Sequence, residues 1–166
     1  MSARIIADRY RWDLPVQPDV VMDILRDVEA LPALTKPHLP AWAIVDMTST
    51  VIQRDYDGSP VVVRTITSTL GIKDSFTSRY QWTESSCHWR IEASRVLKSA
   101  ACEFHVTPSA QGTHLAVDSR AEFKALLMPG TIFRQFQKLQ RLGIEKLEDI
   151  IVTEAARREE LKGNQT

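Results

Sequence analysis

Between Met128 and Leu161 the apolar or small residues Ile132, Phe133, Phe136, Leu139, Gly143, Leu147, Ile150 and Ile151 recur at steps of mostly three and four. That period places them on one side of a helix and leaves a charged side opposite. Pro129 suits a first helical turn, and no further proline interrupts the stretch before Gly163 and a polar tail. At about 1.5 Å per residue, one helix over this stretch spans roughly 45–50 Å, the width of a whole compact domain of this size. A helix of that length needs an equally wide partner, and a curved antiparallel sheet supplies one.

The pattern upstream agrees. From Ala3 to Leu14 the even positions Ile6, Tyr10, Trp12 and Leu14 are apolar, while Arg9, Arg11 and Asp13 fall between them, as in a half-buried strand. Pro15 and Pro18 stop it. Val20, Val21, Ile24, Leu25 and Val28 then follow helical spacing, with Asp19 as the expected cap. Around Pro32, Pro37 and Pro40 no long helix can form, although Glu29 to Leu34 suits one short helix more. From Ala41 onward short runs of valine, isoleucine, threonine and aromatics alternate with turn signals at Asp57–Gly58, Gly71, Ser85–Ser86, Ser99 and Gln111–Gly112. Six strands are expected there, near 42–54, 60–70, 73–83, 87–97, 100–108 and 112–123. Their short connections favour antiparallel neighbours. The expected class is α+β: seven strands, two short helices after the first, and one long C-terminal helix packed on a face of the sheet.

Composition adds boundaries rather than chemistry. The 166 residues suit one domain, taken as 1–161 with a polar tail at 162–166, and 21 basic residues balance 21 acidic ones. No overall field therefore draws the chain to nucleic acid or an anionic surface. No apolar run is long enough to cross a bilayer and no cleavable leader follows Met1, so a cytoplasmic location is expected. Cys87 and Cys102 match neither a zinc nor a redox spacing and are expected as packed thiols. His38, His88, His105 and His114 lack a familiar metal spacing. Neither a nucleotide loop nor a nucleophile elbow is present, and no metal or cofactor is expected.

Particular residues stand at the corners of this order: Asp27-Val28-Glu29 with Pro32 after the first helix, Asp57-Gly58 before a valine strand, and Tyr80 leading toward Trp89. Gly112-Thr113 opens the last strand and Pro129-Gly130 the long helix. With them the chain resembles the START-like helix-grip (SRPBCC) superfamily, specifically its polyketide cyclase/dehydrase branch. The resemblance implies a curved sheet whose concave face is crossed by the C-terminal helix. It also implies a cavity between them for a hydrophobic ligand of lipid, polyketide or isoprenoid type.

Strand alternation tells which residues would line such a cavity. In the fourth strand Phe76, Ser78, Tyr80 and Trp82 share a face. Trp89 and Ile91 follow on the fifth, Cys102 and Phe104 on the sixth, and Val117 and Ser119 on the last. Phe136, Leu139 and Gly143 are the helix residues expected opposite them. Such a surface, apolar with isolated hydroxyls and indoles, has the character of a ligand site, and equally of a packed core. Gly143 either permits close helix–sheet contact or leaves room for a ligand. Resemblance to aromatase/cyclases implies a second function, aldol closure and dehydration of a poly-β-keto chain, with an acyl carrier protein as a partner. Tyr80 would then donate to an enolate, with Arg95, which shares parity with Trp89 and Ile91, and Arg64 as anion stabilisers. His88, His105 and His114 fall on the outward parity. A third reading is an interaction module with a filled core.

Overall fold

The computed structural model describes residues 3–165. Strand β1 (Arg4–Leu14) leads into helix α1 (Pro18–Arg26) and helix α2 (Leu31–Thr35), followed by two single-turn 3-10 segments. Six strands come next: β2 (Asp46–Arg54), β3 (Pro60–Thr69), β4 (Ile72–Trp82), β5 (Ser86–Glu92), β6 (Leu97–Ser109) and β7 (Gly112–Phe123). Helices α3 (Gly130–Glu145) and α4 (Leu147–Gly163) close the chain. The strands form one antiparallel sheet in the order β1-β7-β6-β5-β4-β3-β2, so every neighbour except the β1–β7 pair is also a neighbour in sequence. This is the seven-stranded sheet with a long C-terminal helix that the pattern predicts.

Helix α1 starts at Pro18 with Gln17 as its cap position, and Asp19 lies in the first turn rather than capping it. Proline at the first turn leaves no amide unsatisfied there, so the helix begins two residues earlier than expected. The single long helix is interrupted only at Lys146, between α3 and α4, where the backbone stays right-handed and the Lys146 carbonyl still accepts from the Ile150 amide. Along α3 the apolar stripe faces the sheet. In α4 the apolar residues spread around the helix, and Ile151, with Leu147, Val152 and Ala155, packs into one cluster with α1 and the sheet. One core cluster joins Leu14, Val21, Ile24, Leu25, Val106, Leu115 and Ile151 at the α1–α4 end of the sheet. A second joins Ile6, Val96, Ala121, Phe123 and Met128 beneath the start of α3.

Turn chemistry explains two joints. Leu70 and Gly71 both have positive φ, 53° and 79°, which makes the tight β3–β4 hairpin. At Gly112 φ is 144°, and a Cβ there would stand 2.7 Å from the Leu14 carbonyl oxygen and 2.8 Å from that of Val16. Glycine lets β7 start against the end of β1, where Thr113 Oγ1 donates to the Val16 carbonyl at 2.6 Å.

Three strand ends differ from expectation. The second strand starts at Asp46, because Ala41–Ala43 forms a 3-10 turn and Ile44 is left-handed with φ 48°. The fifth ends at Glu92 and the sixth starts at Leu97, because Ala93 turns left-handed (φ 54°) and Asp74 collects the loop. The Ser94 hydroxyl and the Arg95 amide both donate to the Asp74 carboxylate, the latter at 3.0 Å.

Candidate functional site

The concave face is built by the inward positions of β4–β7 and β1. Phe76, Ser78, Tyr80 and Trp82 are at least half-buried on one side of β4, whereas Ser75, Arg79 and Gln81 are exposed. Cross-strand registers then run a row over the sheet: Tyr80 opposite Trp89, Trp89 opposite Cys102, Cys102 opposite Ser119, and Ser119 opposite Asp8. A parallel row takes Trp82 to Cys87, Phe104, Val117 and Tyr10. Small floor residues are sealed, with Ser78 at 3%, Cys102 at 6% and Val117 at 1% exposure. The tall side chains standing on that floor, Tyr80, Trp82, Trp89, Phe104, Tyr10 and Trp12, are only partly buried. Of these, Tyr10, Trp12, Trp82, Trp89 and Phe104 pack against the first core cluster.

The aromatics support one another. Tyr80 stacks on Trp82 with centroids 5.7 Å apart, and its ring is 6.1 Å from that of Trp89. Tyr10 stacks on Trp12 at 5.5 Å. The Trp82 indole donates to the Pro60 carbonyl at 2.7 Å, which fixes that ring. The Tyr80 hydroxyl has no hydrogen-bond partner among the described residues, and burial, aided slightly by Cys87 and Cys102, pushes its pKa far up. It is a donor that stays protonated. Cys87 and Cys102 are both buried free thiols, and burial raises Cys102 to about 12, which leaves it unreactive. Their strands are adjacent, but each faces an aromatic ring of the other strand rather than the other cysteine.

At the other end of the groove is an apolar pocket of about 260 Å³. Phe76, Ile72 and Thr69 wall it from the sheet, Phe136, Leu139 and Gln140 from α3, and Leu39 and Val45 from the segment between α2 and β2. Phe123 closes its base, edge-on to Phe136 with centroids 5.7 Å apart. The volume is slightly below the roughly 300–1,000 Å³ of drug-sized ligand sites. Of the residues expected to line a cavity, Phe76, Phe136 and Leu139 are in this pocket. Tyr80, Trp82, Trp89, Phe104 and Ser119 are partly buried on the same face, with Trp82, Trp89 and Phe104 packed against the first core cluster, to which Val117 belongs, while Ile91 packs against the second. Gly143 is not wedged against the sheet: a Cβ there would meet only Leu39 Cδ2, at an ordinary 3.7 Å.

The two arginines are elsewhere. Arg64 is on the exposed face of β3, between inward-facing Val63 and Thr65. Arg95 is exposed beyond the end of β5, and its guanidinium donates to the Lys73 carbonyl at 2.7 Å. Parity links it to Trp89 and Ile91 only if the strand continues, and the left-handed Ala93 ends that alternation. Neither guanidinium reaches the concave face. His88 and His105 are exposed, and half-buried His114 holds Asp13 at 3.2 Å on the outer side.

Pattern reading missed a polar group on the groove wall. Asp8 is the one charged residue between Ile6 and Leu14 at an inward position, and its side chain is 16% exposed. Arg141 of α3 stands 3.4 Å from its Oδ1, while Oδ2 is buried and accepts no hydrogen bond from the described residues. Beside it Gln140 donates its amide to Ser119 Oγ at 3.3 Å. Burial first, then the negative charges of Asp8 and Glu145, raise the Tyr10 phenol pKa. The even parity of Asp8 was the available signal. Among the described residues no group of three or more histidine, cysteine, aspartate or glutamate side chains is arranged to hold a metal. No described helix is long and apolar enough to cross a membrane.

No protein-family model matches the chain, and no curated protein does. Solved structures do. A START superfamily protein from Mycobacterium smegmatis superposes with a TM-score of 0.66 over 94% of this chain and 99% of its own, at 18% identity. The chain has a START-like helix-grip fold. The Zhui aromatase/cyclase from a Streptomyces species gives a TM-score of 0.69 at 15% identity, covering 93% of this chain and 95% of that one. The di-domain aromatase/cyclase StfQ of the steffimycin biosynthetic pathway gives 0.61 at 12% identity, with 93% of this START-like chain matching 52% of the larger protein. These identities speak for the fold, and activity has to be argued from the groove.

Proposed function

We propose that this START-like protein binds a hydrophobic small molecule, of lipid, polyketide or isoprenoid type, between the sheet and α3. The observation that carries this reading is the apolar pocket between sheet and α3, which adjoins the stacked aromatic rings of the concave face. Burying ligand carbon there contributes about 25 cal/mol per Å². Tyr80, an unpartnered and protonated hydroxyl, orients the ligand. Native mass spectrometry of the gently purified protein is the test. A co-purifying hydrophobic molecule that is lost from Leu39→Trp, which fills the pocket, supports the reading. Repeated failure to bind any of a lipid, polyketide and isoprenoid panel rejects it.

A second reading, cyclisation and dehydration of a poly-β-keto chain delivered by an acyl carrier protein, is favoured by the same hydroxyl and by the two aromatase/cyclase neighbours. In it Tyr80 donates a hydrogen bond to the developing enolate. Arg64 is on the outward parity of β3 and the Arg95 guanidinium is taken up by the Lys73 carbonyl, so this reading gives neither a role in that chemistry. Turnover of a poly-β-keto substrate that survives Tyr80→Phe eliminates this role.

A further inference from the structure

In the wall formed by Asp8, Ser119, Gln140 and Arg141, the ion pair that ties α3 to β1 uses only one oxygen of the Asp8 carboxylate. Asp8 faces inward from an edge strand under α3, and its Oδ2 is buried without a donor, although Arg141 stands at Oδ1. A buried acceptor left unsatisfied is costly, and leucine at this position would extend the apolar run of Ile6, Tyr10 and Trp12. Gln140 connects this wall to the pocket. Its side chain lines the apolar space and its amide reaches Ser119, the cross-strand partner of Asp8. One strand spacing, about 4.8 Å, therefore separates Asp8 from the residue that Gln140 holds.

We infer that Asp8 is the polarity-selecting residue of the groove and that the ligand carries a hydroxyl or phenol donor rather than a carboxylate. A ligand hydroxyl passing Gln140 supplies the donor that Oδ2 lacks, with Gln140 turning aside from its long 3.3 Å bond to Ser119. A ligand carboxylate meets the opposite situation. Arg141, the nearby cation, is already engaged by Asp8, so an anion would face the Asp8 charge. At the far end of the same cross-strand row the Tyr80 hydroxyl can donate to a carbonyl, so the favoured class is an apolar molecule with a hydroxyl at one end and a keto group at the other.

This inference rests on the hydrophobic-ligand reading, and three probes of one shape separate the two. Chemical-shift titrations at pH 7 compare 2-naphthol, 2-methylnaphthalene and 2-naphthoate on the intact protein. The expected order is 2-naphthol tighter than 2-methylnaphthalene by about tenfold or more, the size of a hydrogen bond to a charged group, with 2-naphthoate weakest. Asp8→Asn, nearly isosteric, brings naphthol and methylnaphthalene to within about threefold of each other. Arg141→Ala keeps the naphthol preference and guards against a misfolded first variant. Equal binding of naphthol and methylnaphthalene, or a naphthol preference that survives Asp8→Asn, overturns the role of Asp8 while leaving ligand binding intact. Tightest binding of naphthoate, lost in Arg141→Ala, also overturns it, in favour of an anion site. Binding of none of the three overturns both readings.

Discussion

Arg158 on α4 stands 3.0 Å from the carboxylate of Glu154, one turn before it, and 3.2 Å from Asp27 at the end of α1. Glu154 is only 3% exposed and is also held by Arg157 at 2.6 Å, so a charge buried on α4 is neutralised locally and tied to α1. The clamp fixes the far end of the helix that crosses the concave face.

Hydrogen bonding by Arg157 and Arg158 outweighs burial and holds the Glu154 carboxyl at about 2, against an ordinary 4.5. A depressed folded-state pKa contributes stability that is fully present above the unfolded value and is lost as pH falls through the folded one. Stability is therefore expected to fall between about pH 4.5 and 2 in urea titrations of the native protein. In Glu154→Gln this part of the acid limb should disappear, and stability at pH 7 should fall by about 2 kcal/mol, because Arg157 loses its charged partner and Arg158 keeps only Asp27.

Gly112→Ala is expected to cost about 3 kcal/mol, since its Cβ would press on backbone atoms of Leu14 and Val16 that cannot swing away. Gly58, at φ 85°, has open space where a Cβ would go. Gly58→Ala should cost only the left-handed penalty of about 1 kcal/mol. Equal losses for the two in denaturant unfolding would contradict the close approach at Gly112.

Gly143→Ala should stabilise the protein by up to about 1 kcal/mol, because it gains helix propensity and meets Leu39 at contact distance. Ligand affinity should not change. A loss of affinity would mean that the ligand lies against Gly143 itself.

Removal of the Tyr80 hydroxyl should leave stability within about 0.5 kcal/mol of the parent, since no protein partner is lost, while weakening a keto-bearing ligand several-fold. Arg64→Ala and Arg95→Ala should leave ligand affinity unchanged. For Arg95→Ala a small loss of thermal stability follows from the broken bond to the Lys73 carbonyl. Calorimetric titration together with thermal melting distinguishes the three variants.

What the sequence by itself determined were the features carried by local period. Alternation on β4 put Phe76, Ser78, Tyr80 and Trp82 on one face, alternation on β6 and β7 did the same for Cys102, Phe104, Val117 and Ser119, and steps of three and four marked the helical side that holds Phe136 and Leu139. Such periods follow from backbone geometry, so they survive without knowledge of neighbours. Arg95 shows where they stop: the left-handed Ala93, followed by Ser94 and Arg95 bonded to Asp74 on another strand, moved that side chain outside. Only the tertiary structure brought Leu39 over the pocket and set Arg141 against Asp8. Those contacts depend on where a helix comes to rest on a curved sheet, and that position is set by the fit of all the packed surfaces together rather than by any stretch of chain alone.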